Sequence, residues 1–235
     1  MTPHFTPLCA ASLLALTTGC AGSYAPIRPD KVATFVSSPT SGPVEMAYQF
    51  DALRLGGKNK KYAKYETKRG YRVVAVRVTN KWDREVNFSR DLTLLYGDRP
   101  VSPIAGTTAA RDLKQGVAIY LLYLLVNPRV GATTDVRTGA TTGGTTLPLG
   151  PFIAGGNMLG ASGANASLRK EFEAYDLTNR TLKPGETVYG ILSLRETAVA
   201  PLRLEMRAAT PPPAPAAAMP TPAPVPAAVP GGGLR

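Results

Sequence analysis

Histidine and cysteine are almost missing from this chain of 235 residues, which has one His and two Cys. His4, Cys9 and Cys20 all lie in the first twenty residues. If that leader is removed and Cys20 is chemically blocked, the remaining chain has no thiol and no imidazole. Cys–His and Ser–His–Asp nucleophilic catalysis are then excluded, and so is any zinc site built on His or Cys. Charged residues are scarce as well, at 18%. No Walker A motif, Rossmann glycine fingerprint or EF-hand loop occurs. No metal and no cofactor is expected.

Glycine and proline are abundant, with 23 and 22 residues. That composition suits a β-rich, turn-rich globule with loose ends. The net charge is +11, and none of the charged residues falls in the first nineteen positions. A basic balance favours anionic partners. For an exported chain these are lipid headgroups, lipopolysaccharide phosphates or acidic wall polymers, rather than nucleic acid.

Residues 8–16 read LCAASLLAL, an apolar run of signal-peptide length that is too short to span a bilayer. Thr17, Thr18 and Gly19 then lead into Cys20. This arrangement resembles a bacterial lipobox. The resemblance implies a signal peptide over 1–19, a diacylglycerol on Cys20 and attachment to a membrane through that lipid. Ala21 stands where an inner-membrane retention signal favours Asp, so the outer membrane is expected. No acidic cluster follows Cys20, which implies a body facing the periplasm.

Residues 20–43 carry Pro26, Pro29, Pro39 and Pro43 among small residues and read as a flexible tether. The expected folded body is 44–208. Alternating or Val-rich stretches predict strands over 44–50, 71–79, 86–96 and 187–194. A last strand over 201–206 is expected to pair with 187–194. Lys183, Pro184, Gly185 and Glu186 predict a type II turn. Residues 209–235, nearly all Pro and Ala at first, read as a disordered tail.

Short strands separated by turns predict a mainly β protein, an antiparallel β-sandwich. The segments 58–62, 113–117 and 182–190 carry a further likeness. With them the chain resembles the immunoglobulin-like domains of uncharacterised envelope lipoproteins, especially those of Bacteroidetes. The resemblance implies fold and location but no activity.

Residues 104–170 read as a helical, Gly-rich insertion in the sandwich. Asp112 is expected to cap a helix running through the apolar residues 117–126, up to Pro128. A Thr/Gly-rich mobile connection is expected to follow. A second helix carries Gly156, Gly160 and Ala164 at every fourth position, a small-residue stripe that allows close packing or an interface. Packed helices are favoured over membrane insertion, because the first apolar run has only about ten residues and a span needs about twenty.

Lys58, Lys60, Lys61, Lys64, Lys68, Arg69 and Arg72 are interleaved with Tyr62, Tyr65 and Tyr71. They read as a solvated loop and strand edge, with an anionic surface as the functional alternative. Ser167 and Lys170 have the S-x-x-K spacing of serine acyl-enzymes without the accompanying motifs. Glu171, Glu173 and Asp176 are candidate glycosidase carboxylates but are expected to be solvated.

The expected function is a non-enzymatic, lipid-anchored envelope protein that binds a protein or anionic polymer. The alternatives are a hydrolase using paired carboxylates and a homo-oligomer assembled through residues 104–170.

Overall fold

Residues 72–80 read RVVAVRVTN, so β-branched side chains supply apolar groups to both faces of one strand. In the computed structural model, which describes residues 21–39 and 42–207, this strand is β3 (Arg72–Asn80). The expected signal peptide, Cys20 and the Pro/Ala-rich tail lie outside the described residues.

β3 is the centre of a four-stranded antiparallel sheet with β1 (Val36–Ser37), β2 (Val44–Gln49) and β10 (Thr187–Leu194), in the order β1-β2-β3-β10. Its register sets Met46 against Val78 and Gly190 against Val76. A second sheet contains β5 (Leu92–Tyr96), β6 (Arg99–Val101) and β11 (Leu202–Met206), in the order β11-β5-β6. Val74, Val76 and Val78 of the first sheet share a core with Leu92, Leu94, Leu202 and Leu204 of the second. Two short strands, β4 (Val86–Asn87) and β9 (Thr181–Leu182), pair at one edge.

The other face of β3 carries Val73 and Ala75, which are buried under helices. These are α1 (Lys60–Lys68), α3 (Gly106–Leu113) and α4 (Gly150–Ala174); the short α2 (Phe88–Asp91) links β4 to β5. Tyr62, Leu113, Leu168 and Phe172 fill this second core. Gly106 lets α3 meet α4: a Cβ there would stand 2.3 Å from the Phe172 carbonyl oxygen.

The chain is therefore mixed rather than mainly β, with 30% strand and 34% helix, and its strands pair antiparallel. Helix is not confined to 104–170. α1 precedes that segment, α4 runs past it to Ala174, and residues on both sides join one core. The expected partner of the last strand also changes. β11 pairs with β5, while β10 pairs with β3. Both strands of that candidate pair are apolar on alternate residues, and local pattern does not say which sheet each joins.

Several local readings hold. The turn before β10 has Gly185 at φ +72° and a hydrogen bond from Glu186 N to Lys183 O of 3.0 Å. A type II turn needs that positive φ at its third position. Asn80, fully buried, secures the turn. Its Nδ2 donates to the carbonyls of Arg84, Leu182 and Lys183, and its Oδ1 accepts from Trp82 N. Truncation at Asn80 strands these groups. Asn80→Ala is expected to lower stability by about 2 kcal/mol in urea unfolding.

Glu66 is buried in the helical core. Its Oε1 accepts from Val73 N at 2.7 Å, and no protein group bonds Oε2. Burial is the main cause that pushes its carboxyl up to about 7; the Val73 amide opposes it. Between the ordinary carboxyl value and about 7, the folded chain holds this proton and the unfolded chain does not. Stability should therefore fall as pH rises through that window, by about 3 kcal/mol in all. Urea melts from pH 4 to 8 measure it, and Glu66→Gln should remove this part of the slope.

Candidate functional site: a clamped N-terminal segment beside an exposed apolar face

The expectation of a flexible tether over 20–43 does not hold where the chain is described. Residues 21–28 lie along the helical layer and are gripped by side chains. Asn157 Oδ1 accepts from Ala21 N at 2.8 Å. The Gln115 amide bonds both backbone groups of Gly22, through Oε1 at 3.0 Å and Nε2 at 2.6 Å. The Asn59 amide does the same to Ala25, with both bonds at 2.8 Å. The Glu171 carboxylate accepts from Ile27 N at 3.0 Å, from Arg28 N at 2.8 Å and from the Tyr24 hydroxyl.

These partners replace those a β-ladder would give. A segment without a strand neighbour must satisfy its backbone by other means when it is covered. Asn59, Gln115 and Asn157 are each at most 2% exposed, and Glu171 is 8% exposed. Tyr24 packs edge-on against Tyr62, with ring centroids 5.3 Å apart. Burial and the Glu171 carboxylate together hold the Tyr24 hydroxyl well above the usual phenol range.

The clamp also explains why the expected helix over 112–126 breaks. α3 ends at Leu113, and a separate 3-10 helix covers Ala118–Leu125. Between them Asn165 holds the Gln115 backbone, with Oδ1 accepting from its N–H at 2.8 Å and Nδ2 donating to its carbonyl at 3.0 Å. That residue therefore leaves the helix and aims its side chain at Gly22. Asp112 caps no helix. It accepts from the Tyr71 hydroxyl at 2.6 Å and pairs with Arg195 at 3.2 Å, and the Tyr71 bond is the main cause of its lowered carboxyl value.

The apolar run is not buried as expected. In Ala118–Leu125 only Tyr120 is buried. Leu122 is 61% exposed and Leu125 81% exposed, with Ile119, Leu121 and Leu124 also open. This segment packs along the first part of α4: a Cβ at Gly150 would meet the carbonyls of Tyr123 and Leu124. α4 adds Phe152, 71% exposed, and Leu159, 77% exposed. The Thr/Gly stretch expected as a connection is a hairpin of β7 (Arg129–Thr134) and β8 (Thr141–Thr146), exposed almost throughout. Asp135 Oδ1 accepts from Arg137 N and Thr138 N at its tip.

The small-residue stripe divides. Ala164 is buried, a Cβ added at Gly160 would stand 3.4 Å from the Ala21 Cβ, and one added at Gly156 would meet nothing within 4 Å. A spacing of four drifts about 40° per step on an α-helix, so Gly160 and then Gly156 turn progressively away from the buried side that Ala164 joins. The buried face of α4 instead follows alternating steps of four and three, through Ala154, Asn157, Ala161, Ala164 and Leu168.

The basic cluster is a helix rather than a loop. Lys60, Lys64 and Lys68 share the exposed side of α1, and Lys58 lies exposed before it. The tyrosines are mostly elsewhere, with Tyr62 and Tyr71 in the core. Burial pushes the Tyr62 hydroxyl up to about 12. Lys61 bonds the Tyr120 hydroxyl, and Arg72 bonds Asp51 and the Thr197 carbonyl. Arg69 lies over the Tyr65 ring at 4.8 Å. It also lines a shallow cavity of about 540 Å³ with Arg111, Lys114 and Arg195, where Asp112 is the lone acid.

Ser167 and Lys170 are exposed on α4. The carboxylates have separate structural roles. Glu171 is bound in the clamp rather than solvated. Glu173 lies near Arg169 at 3.7 Å, and Asp176 accepts from Gly106 N at 2.7 Å. Among the described residues no cluster of His, Cys, Asp and Glu has the makings of a metal site, and no helix is long and apolar enough to cross a membrane.

No protein-family model matches the chain, and comparison with curated proteins and with solved structures finds no match.

The clamp is separable from the sheets. Glu171→Gln turns an amide donor towards groups that are themselves donors. It is expected to cost about 2–3 kcal/mol and to speed amide exchange at Ile27 and Arg28, while β3 amides stay protected. Unchanged exchange at Ile27 would show that Glu171 does not hold the segment.

Proposed function

We propose that this chain is a non-enzymatic, lipid-anchored envelope protein. Cys20 carries the lipid, the body is an immunoglobulin-like sandwich with a helical cover, and the protein binds an acidic protein surface or anionic polymer. The likeness to envelope lipoproteins, read from the sequence, agrees with this and suggests the periplasmic side of the outer membrane.

The observation that carries the reading is the clamp on residues 21–28. The residue next to Cys20 is bonded to α4, so a lipid at Cys20 would be joined to the folded body with no slack. A chain that merely trails behind a signal peptide has no need of a buried carboxylate and buried amides along its first residues. Two features support binding over hydrolysis. Glu171, the most buried of the candidate carboxylates, already accepts three hydrogen bonds. The cavity beside α1 gathers cations around one acid instead of pairing two acids.

The proposed partner surface runs from Lys60, Lys64 and Lys68 through Arg69 to Arg111, Lys114 and Arg195. Cations near an anionic surface contribute roughly 1 kcal/mol each. Reversing Lys60, Lys64 and Lys68 to Glu is expected to weaken binding to an immobilised polyanion by about tenfold or more at low salt. Unchanged retention rejects this surface.

The anchor is tested by mass spectrometry of the N-terminal peptide from membrane fractions. Diacylglycerol on a mature terminus at Cys20 is expected. Mature protein with an unmodified Cys20 overturns the anchor and, with it, the envelope reading.

A further inference from the structure

We propose that the exposed apolar face of the 3-10 segment Ala118–Leu125 and the first half of α4 seats in the surface of an anionic bilayer, beside the anchor. The proposal rests on the reading of Cys20 as the lipid site and adds to it the orientation of the body.

Three observations select a bilayer as the occupant. The first is position. Ala21 is held by Asn157, so the chain leaves the described structure at the middle of α4, the helix that also carries exposed Phe152 and Leu159. A lipid on the preceding residue enters the membrane at that place. The second is apolar exposure. Leu122, Leu125, Phe152 and Leu159 are each more than half exposed and belong to elements that pack on one another. An apolar patch of this kind marks an interaction surface. The third is charge. From Lys114 to Leu168 the sole acid is Asp135, against Lys114, Arg129 and Arg137. A face with apolar side chains and scattered cations suits the headgroup–acyl boundary of a bilayer.

Neither element spans. No described helix is long and apolar enough to cross a membrane. The face therefore lies on the membrane, and the lipid on Cys20 and the apolar side chains insert on the same side. The hairpin β7–β8 leaves this face directly after the 3-10 segment, with Arg129 at its base and Arg137 at its tip.

The near-absence of cysteine makes the test direct. After leader removal, with Cys20 acylated, a single introduced cysteine is the only free thiol. Leu122→Cys, Leu159→Cys and Glu205→Cys are each labelled with an environment-sensitive fluorophore in the mature, acylated protein. The labelled protein is reconstituted into vesicles of mixed zwitterionic and anionic lipid. All three positions carry solvent-exposed side chains, so the core stays intact. Glu205 lies on β11, across the central sheet from the helices.

Labels at 122 and 159 are expected to shift to the blue and to be quenched by brominated lipid, while the label at 205 stays open to aqueous iodide. If labels at 122 and 159 are as open to iodide as the one at 205 while Cys20 is acylated, the face proposal falls and the anchor stands. If Cys20 takes up label yet 122 and 159 are quenched by lipid, the anchor falls and the face stands. Cross-linking of Leu122→Cys to a second copy, without lipid quenching, overturns the proposal in favour of that occupant.

Discussion

The sheet β1-β2-β3-β10 must be covered on both faces, and the rest of the molecule follows from that constraint. β3 sets Val74, Val76 and Val78 towards one side and Val73 and Ala75 towards the other. Successive residues of a strand point to opposite faces, so a strand with β-branched residues at adjacent positions has no side fit for water. The sheet β11-β5-β6 covers one face. α1, α3 and α4 cover the other, and they themselves need a lid where their packing leaves a gap. Residues 21–28 supply that lid.

The lid is polar in its fastening and apolar in its filling. Ile27 and Tyr24 add to the helical core, while the backbone of the segment is held by Asn59, Gln115, Asn157 and Glu171. Each side-chain amide that grips both groups of one residue acts as one rung of a missing strand. A buried network of this kind holds one register, because a slip of a single residue would strand several donors at once. The same network bends the chain at Gln115, and that bend carries the apolar run of Ala118–Leu125 to the surface instead of into the core. Clamp and exposed face are thus two results of one set of contacts, which is why the proposed anchor and the proposed membrane-facing surface lie together.

Much of the sheet structure was legible from local pattern. The alternation in 44–50 and 187–194, the valines of β3 and the Pro184–Gly185 turn rest on periodicity and φ preference, and both act within a few residues. The helical content was less legible. Lys60, Lys64 and Lys68 look like a solvated run because their charge hides the helix whose other side buries Tyr62, Ala63 and Glu66. The Gly156, Gly160 and Ala164 spacing suggested a stripe, but the buried side of α4 alternates steps of four and three. Glu171 looked like a solvated acid next to Glu173. Its partners are about 145 residues away in sequence.

Composition and spacing alone determined that, beyond residue 20, no chemistry built on thiol or imidazole is possible, and that Val-rich strands and tight turns would build antiparallel sheets. Those are properties of residue inventory and of short-range geometry. Tertiary structure alone decided that residues 21–28 are clamped rather than loose, that β11 joins β5 rather than β10, and that the apolar run of Ala118–Leu125 is left exposed. In each case the deciding partners are far apart in the chain. A backbone amide at Ile27 is satisfied by Glu171 only because α4 has first packed on β3, and no local pattern in either segment records that meeting.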